Sequence, residues 1–293
     1  MASELRETIP TFGEAGGEAQ GTGLTNWSAL TGASTAKSAG EIGGLILVAI
    51  LLIGGLELAV RHFNVAPYVF PRPSDIGSSL VNDFSSFWPH MKITIRELLV
   101  GFSIGATLGI VLAAIITQFP YVEKIVTPYV LLLVTTPMIA LVPLLMLNYG
   151  FGSTPRYIAV TLAVFPMVMI NSATGFRRTD LAKIALARSY GANTFQIFAK
   201  IRFPLALPMI IVGLMVGSIF GLLTAVGAEM VGGKNGLGNQ LQVYASLIRM
   251  AQFWAIILLI ALIGVSIYVI FFWIGKSGRA GKPDRFNSAR LGN

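Results

Sequence analysis

Few side chains in this sequence could make or break bonds. There is no cysteine, and the two histidines are His62 and His90. That excludes a cysteine-based metal or redox site and any histidine cluster at metal-ligand spacing. Both histidines read as surface residues near an outer interface. Gly275-Lys276-Ser277 ends like a phosphate-binding loop, but the pattern needs a glycine at position 270, which is Ile270 inside an apolar run. No nucleophile, base and orienting acid form a triad, so an enzyme reading has no residues to stand on. Three acids at the ends of apolar runs remain: Glu57, Glu97 and Glu229. Glu57 reads as an interfacial carboxylate, and Arg96-Glu97 as a local pair orienting a helix start. Glu229 meets the turn "GGKNGLG", whose backbone amides need acceptors, so it reads as a latch binding those amides.

The elements that must position these acids are apolar. Hydrophobic residues make up 54% of the chain and charged residues 12%, where a soluble domain carries roughly a quarter charged. Charge-free runs of about 20 residues suit membrane-crossing helices. Five occur: Leu98 to Thr117, Ile125 to Leu147, Tyr157 to Phe176, Phe203 to Ala228 and Ala251 to Gly275. A sixth, Ile42 to Val60, contains only Glu57. Continuous apolarity favours helices over barrel strands, which alternate. The expected fold is an all-α polytopic membrane protein with six transmembrane helices in residues 41–275. Residues 1–40, rich in Gly, Ser, Thr and Ala, read as a flexible tail without a signal peptide, and 276–293 as a basic tail. The Asn26-Trp27-Ser28 sequon carries no weight.

With the N-terminus inside, fourteen of the 21 Lys/Arg fall on the cytoplasmic side, which places both termini in the cytoplasm. The net charge of +8 then reads as basic loops held against anionic lipid, with no nucleic-acid partner.

Six of those bases lie in the segment 177–202, between the fourth and fifth helices. Thr179 or Asp180 can cap a short helix with Leu181, Ile184 and Ala185 on one face, ended by Gly191. Asn193 and Gln196 have capping-box spacing for a second, with Phe195, Phe198 and Ala199 on one face. Such faces cannot be buried in their own short loop and call for a groove on another protein or in the membrane interface.

The order Ala185-Leu186-Ala187, three residues, Gly191, nine residues, Ile201, one residue, Phe203-Pro204 resembles the EAA loop of ABC importer permeases. "FPRPSDI", "LLVGFSIGATLGIVLA", "TTPMIALVPLLMLNYGFG" and "AEMVGGKNGLG" are similar to other motifs of that family. The likeness covers about residues 70–275 and is strongest to the nitrate, taurine, sulfonate and pyrimidine-precursor branch. It implies a type I ABC importer-like fold and a permease subunit that forms the path for a small solute. It also implies an extracytoplasmic substrate-binding protein, separate ATPase subunits and a second permease copy, as a homodimer, in the bacterial inner membrane. ATP and Mg2+ would sit in the ATPase, with no cofactor in this chain. Ala185, Ala187, Arg188, Gly191, Asn193, Phe195, Phe198, Ile201 and Pro204 would then couple to the ATPase, with Pro204 and Pro208 setting the start of helix five. Glu229, Gly236 and Gly238 would form the external gate. Two departures stand out: Ala185 replaces the Glu of the loop, and Phe203 replaces the Leu before Pro204.

Helix three carries Pro128, Pro137 and Pro143, whose unpaired carbonyls must be met inside protein or water. Pro137, Met138 and Pro143 are therefore candidates for the translocation path. Gly213, Gly217 and Gly221 form a strip suited either to a dimer contact or to packing within the subunit. The competing reading is a stand-alone secondary transporter or channel. Its expected marks are ionisable chains deep in the membrane or an inverted repeat.

Overall fold

The computed structural model describes residues 39–279 of the chain, with side chains from 43 to 276. The Asn26-Trp27-Ser28 sequon and nearly all of both tails lie outside the described residues. The chain divides into two units, one ending at Leu56 and the other beginning at Glu57.

The elements are α1 (Ala39–His62), α2 (Pro73–Asn82), α3 (Phe84–Gln118), α4 (Pro120–Thr135), α5 (Met138–Tyr149) and α6 (Thr154–Arg177). They continue with α7 (Leu181–Ser189), α8 (Thr194–Ile197), a π-helical turn (Phe198–Arg202), α9 (Phe203–Gly232), α10 (Leu237–Ser246) and α11 (Met250–Arg279). Five described helices are long and apolar enough to cross a membrane, or six spans if a bent pair counts as one. α1 is one of them, and its Leu45, Leu47 and Leu52 are exposed.

The expected third helix is that bent pair. α4 and α5 meet at 97° around Thr136 and Pro137. Proline lacks an N–H and disfavours helical geometry in the residue before it. Thr136 is accordingly extended, with φ −80° and ψ 125°. The second helix is longer than expected: it begins at Phe84 rather than Leu98 and runs 35 residues, about 52 Å at 1.5 Å per residue. A charge-free criterion ends it at Arg96-Glu97, yet Glu97 is buried within the bundle. The short helices α2 and α10 are additions that the apolar runs did not reveal.

The bundle is organised around α6, which two glycine strips clasp. A Cβ on Gly101 of α3 would strike Val160, and one on Gly105 or Gly109 would meet the α6 backbone at 2.7 and 2.8 Å. From α9, Gly213, Gly217 and Gly221 face Asn171, Val168 and Val164 in the same way. This decides the open question about the α9 strip: it packs within the chain. Val160, Val164 and Val168 of α6 are fully buried as a result. Lipid is as apolar as valine, so the gain comes from close backbone approach and dispersion contacts rather than from release of water.

Candidate functional site

At one end of this bundle the Gly-rich turn before α10 is tied down by side chains. Three successive N–H groups donate to three different acceptors: Gly236 to His90 Nδ1 at 3.1 Å, Leu237 to Thr94 Oγ1 at 2.9 Å and Gly238 to Glu229 Oε2 at 2.7 Å. His90 and Thr94 stand one helical turn apart on α3, and Glu97 follows on the same face. The Gln240 side chain lies 3.1 Å from the other His90 nitrogen.

Glycine is required here by close approach. A side chain at Gly236, where φ is +113°, would run into the Glu229 carboxylate, and one at Gly238 into the Val226 carbonyl. The residues expected at this turn, Glu229, Gly236 and Gly238, are therefore in mutual contact.

Two expectations need correction. Glu97 does not pair with Arg96, which is exposed; its partner is Arg156 of α6, at 2.6 Å, and both are buried. Arg156 also donates to the Asn235 carbonyl at 3.3 Å, so it ties the acid pair to the turn. One guanidinium thus pairs with Glu97 directly and, through the Asn235 carbonyl, holds the turn that Glu229 also binds. His90 is likewise no surface residue but a half-buried acceptor for the turn. The i, i+4, i+7 spacing of His90, Thr94 and Glu97 was the signal in the sequence, but their partners lie far along the chain.

Glu57 forms a separate contact, pairing with Arg61 at 2.7 Å and accepting the Ser74 N–H at 3.1 Å and the Ser74 hydroxyl at 2.9 Å. A carboxylate there satisfies an orphan donor in the first turn of α2.

The loop between α6 and α9 carries the second constellation. Asp180, rather than Thr179, caps α7 by accepting the Ala182 N–H at 2.9 Å. At the other end, Gly191 N–H donates to Arg188 O at 2.9 Å and Ala192 N–H to Ala187 O at 3.0 Å. That pair of bonds is a Schellman motif with Gly191 in the left-handed region at φ +78°. Asn193 and Gln196 then close the expected capping box, at 2.8 and 3.0 Å.

The second short helix differs from expectation because it does not end before helix five. α8 runs through the π-turn into α9, giving a continuous helical stretch from Thr194 to Gly232. Pro204 has no N–H for the carbonyl one turn back, and the π-turn precedes it, with the Phe203 N–H reaching Phe198 O. The apolar faces also divide differently. Ile184 and Ile197 are buried, and Phe198 rests on Phe176 at 5.1 Å between ring centres, next to a half-buried Ile201. Leu181, Tyr190 and Phe195 point out, each more than 75% exposed, and Leu186 is exposed too. Ala185, Arg188 and Pro204 are exposed, and Ala187 is half-buried.

Of the residues proposed for a path, Pro137 and Met138 line a cavity of about 290 Å3 at the α4–α5 break, whereas Pro143 does not reach it. Among the described residues, no group of three or more His, Asp or Glu could hold a metal ion.

The architecture is a bent bundle of apolar helices with a capped helical loop and a tethered glycine turn. Residues 105–279 match the family of the binding-protein-dependent transport system inner membrane component, and the chain belongs to that family. It is an inner-membrane permease subunit of an ABC importer, and the family is a transport family rather than an enzyme family. The chain is 26% identical over 185 residues to the taurine transport system permease protein TauC of Escherichia coli, covering 61% of this chain and 67% of that one. It is 27% identical over 215 residues to the formylaminopyrimidine transport permease protein ThiX of Halalkalibacterium halodurans, covering 71% and 84%. The fold is shared with a chain of the inward-facing MetNI methionine ABC transporter, with TM-score 0.54 at 18% identity, covering 66% of this chain and 94% of that one.

Proposed function

We propose that this permease receives a small solute from an extracytoplasmic binding protein and is driven by a separate ATPase that docks on the α7–α8 loop. ATP and Mg2+ belong to that partner. In this reading both termini and the α7–α8 loop face the cytoplasm, the α9–α10 turn faces outside, and two copies of the chain enclose the path. Glu229, Gly236 and Gly238 hold the outer gate, and Pro137 and Met138 line the route.

The observation that carries the proposal is the exposure of Leu181, Leu186, Tyr190 and Phe195 on a loop whose backbone is fixed at both ends. Isolated apolar side chains on a surface mean little, but four on one rigid loop suit a partner groove. The inward residues Ile184, Ile197 and Phe198 hold that surface against the bundle, so a push on it is transmitted to α9. Replacing Tyr190 and Phe195 together by serine is expected to remove ATPase copurification and ATP-driven uptake while the permease still reaches the membrane. Full copurification of the double variant would refute the docking surface.

A further inference from the structure

Of the three acceptors that hold the α9–α10 turn, Thr94 cannot change charge and Glu229 is fully buried. His90 is half-buried, on the part of α3 that precedes the charge-free run. Its Nδ1 accepts the Gly236 N–H at 3.1 Å. A neutral imidazole has one nitrogen free to accept, whereas an imidazolium carries a proton on both and accepts nothing. Protonation therefore leaves two donors facing each other. The Gly236 N–H makes that bond alone among the described residues. It lies at the start of α10, ahead of any intrahelical carbonyl, and Gly236 is buried away from water. Gln240 does not oppose the change, because its amide can present oxygen or NH2 to the other ring nitrogen in either state.

The charges around the ring leave it without a countercharge. Three ion pairs occur among the described residues, and none includes His90. On its own helix Lys92 and Arg96 are exposed, and Glu97 is taken by Arg156 of α6. Asp83, which precedes α3, binds Ser79 of α2 and Gln252 of α11. Asp75 of α2 and Arg249 ahead of α11 are exposed. Glu229 of α9 is committed through Oε2 to Gly238, and Lys234 of the turn is exposed. α10 carries no Asp, Glu, Lys or Arg; its one titratable group is Tyr244, whose ring packs on Phe87. The first N–H groups of α10 also present a positive helix end to the ring, which disfavours a cation there.

We infer that His90 is a positioning residue for the outer turn: as a neutral ring it closes the turn on α3, and as an imidazolium it releases it, so acid on the outer side opens the gate. The inference rests on the permease reading and adds a proton-sensitive element to its gate.

The test uses the full chain with its ATPase subunit in nanodiscs, without binding protein, at about pH 7.5 and about pH 5, which bracket the histidine range. Asn places its side-chain oxygen where His90 has Nδ1 and does not titrate, so comparison with His90→Asn at each pH cancels the pH dependence of the ATPase itself. Relative to that variant, basal hydrolysis of the wild type should be equal at the higher pH and about 5- to 30-fold greater in acid. His90→Phe, which offers no acceptor, should hydrolyse fast at both. Hydrogen exchange of residues 234–241, compared between wild type and His90→Asn at one pH, should show the same loss of protection in acid. A wild type that follows His90→Asn in either readout would overturn the switch. Slower exchange of the wild type in acid would overturn it too, since the unpartnered Glu229 Oε1 would then be capturing the imidazolium. If the preparation shows no ATP hydrolysis coupled to uptake at either pH, the permease reading falls, and exchange alone decides the His90 contact.

Discussion

Glu229 and Gly238 are nine residues apart and meet through one short bond, the Gly238 N–H donating to Glu229 Oε2 at 2.7 Å in a buried site. A helix end and the turn that follows it are thereby locked to each other. The neighbouring amides are held by His90 and Thr94, so α3 shares the lock. Any movement that parts α10 from α3 must break the bonds to His90 and Thr94, and one that parts it from the end of α9 must break the bond to Glu229.

Replacing Glu229 by Gln keeps the shape and removes the charge from that bond. Loss of a charge-assisted bond at a buried site costs about 1–3 kcal/mol. The outer turn should then open more readily, and ATPase activity without binding protein should rise by a factor of about 5–150. The order of preference among competing solutes should stay the same. A changed order with normal basal ATPase would show that Glu229 contacts the solute.

Arg156 pairs with the buried Glu97, so its removal should be far worse than a lost surface ion pair. Arg156→Met should destabilise the protein by about 3–5 kcal/mol, because Glu97 is left buried and unpaired. Adding Glu97→Gln should recover much of that loss. Thermal unfolding of the two single variants and the double variant measures the coupling, and additive effects would contradict the pairing.

At Gly191 the requirement is conformational alone. Nothing lies within 4 Å of a Cβ built there, and φ is +78°. Asn, which tolerates the left-handed region, should be accepted, whereas Val should cost about 1–2 kcal/mol or more and loosen the Schellman turn. ATP-driven uptake should therefore persist in Gly191→Asn and fall in Gly191→Val. Equal uptake in the two variants would remove the turn from the coupling route.

The sequence was most legible where one property decided the element. The continuous apolar runs marked α6, α9 and α11 because a crossing helix needs little else. The caps of the α7–α8 loop were also readable, since Asp180, Gly191, Asn193 and Gln196 act on atoms within a few residues. What was hidden depended on distant partners. Glu97 looked like the end of an apolar run because its countercharge, Arg156, lies 59 positions on. His90 looked superficial because its partner, Gly236, comes 146 residues later. The α3 strip of Gly101, Gly105 and Gly109 had the same spacing as the α9 strip, yet spacing alone could not say that both close on α6. Pro137 signalled an interrupted helix, and the 97° size of the bend came from how α5 packs on α6 and α9.

The orientation proposed from the distribution of bases is accessible to thiol labelling because the sequence holds no cysteine. In intact cells an impermeant thiol reagent should label Lys234→Cys and leave Arg188→Cys protected until the membrane is opened. The reverse pattern would invert the arrangement of the two ends.

Docking of an ATPase on the α7–α8 loop is tested most directly by placing a photo-crosslinking phenylalanine analogue at Phe195, an exposed position on that loop. Irradiation of membranes should join this chain to an ATP-hydrolysing subunit, identified by mass spectrometry, and the yield should change when Mg-ATP is added. Adducts with lipid alone, in membranes that still carry out ATP-driven uptake, would contradict it.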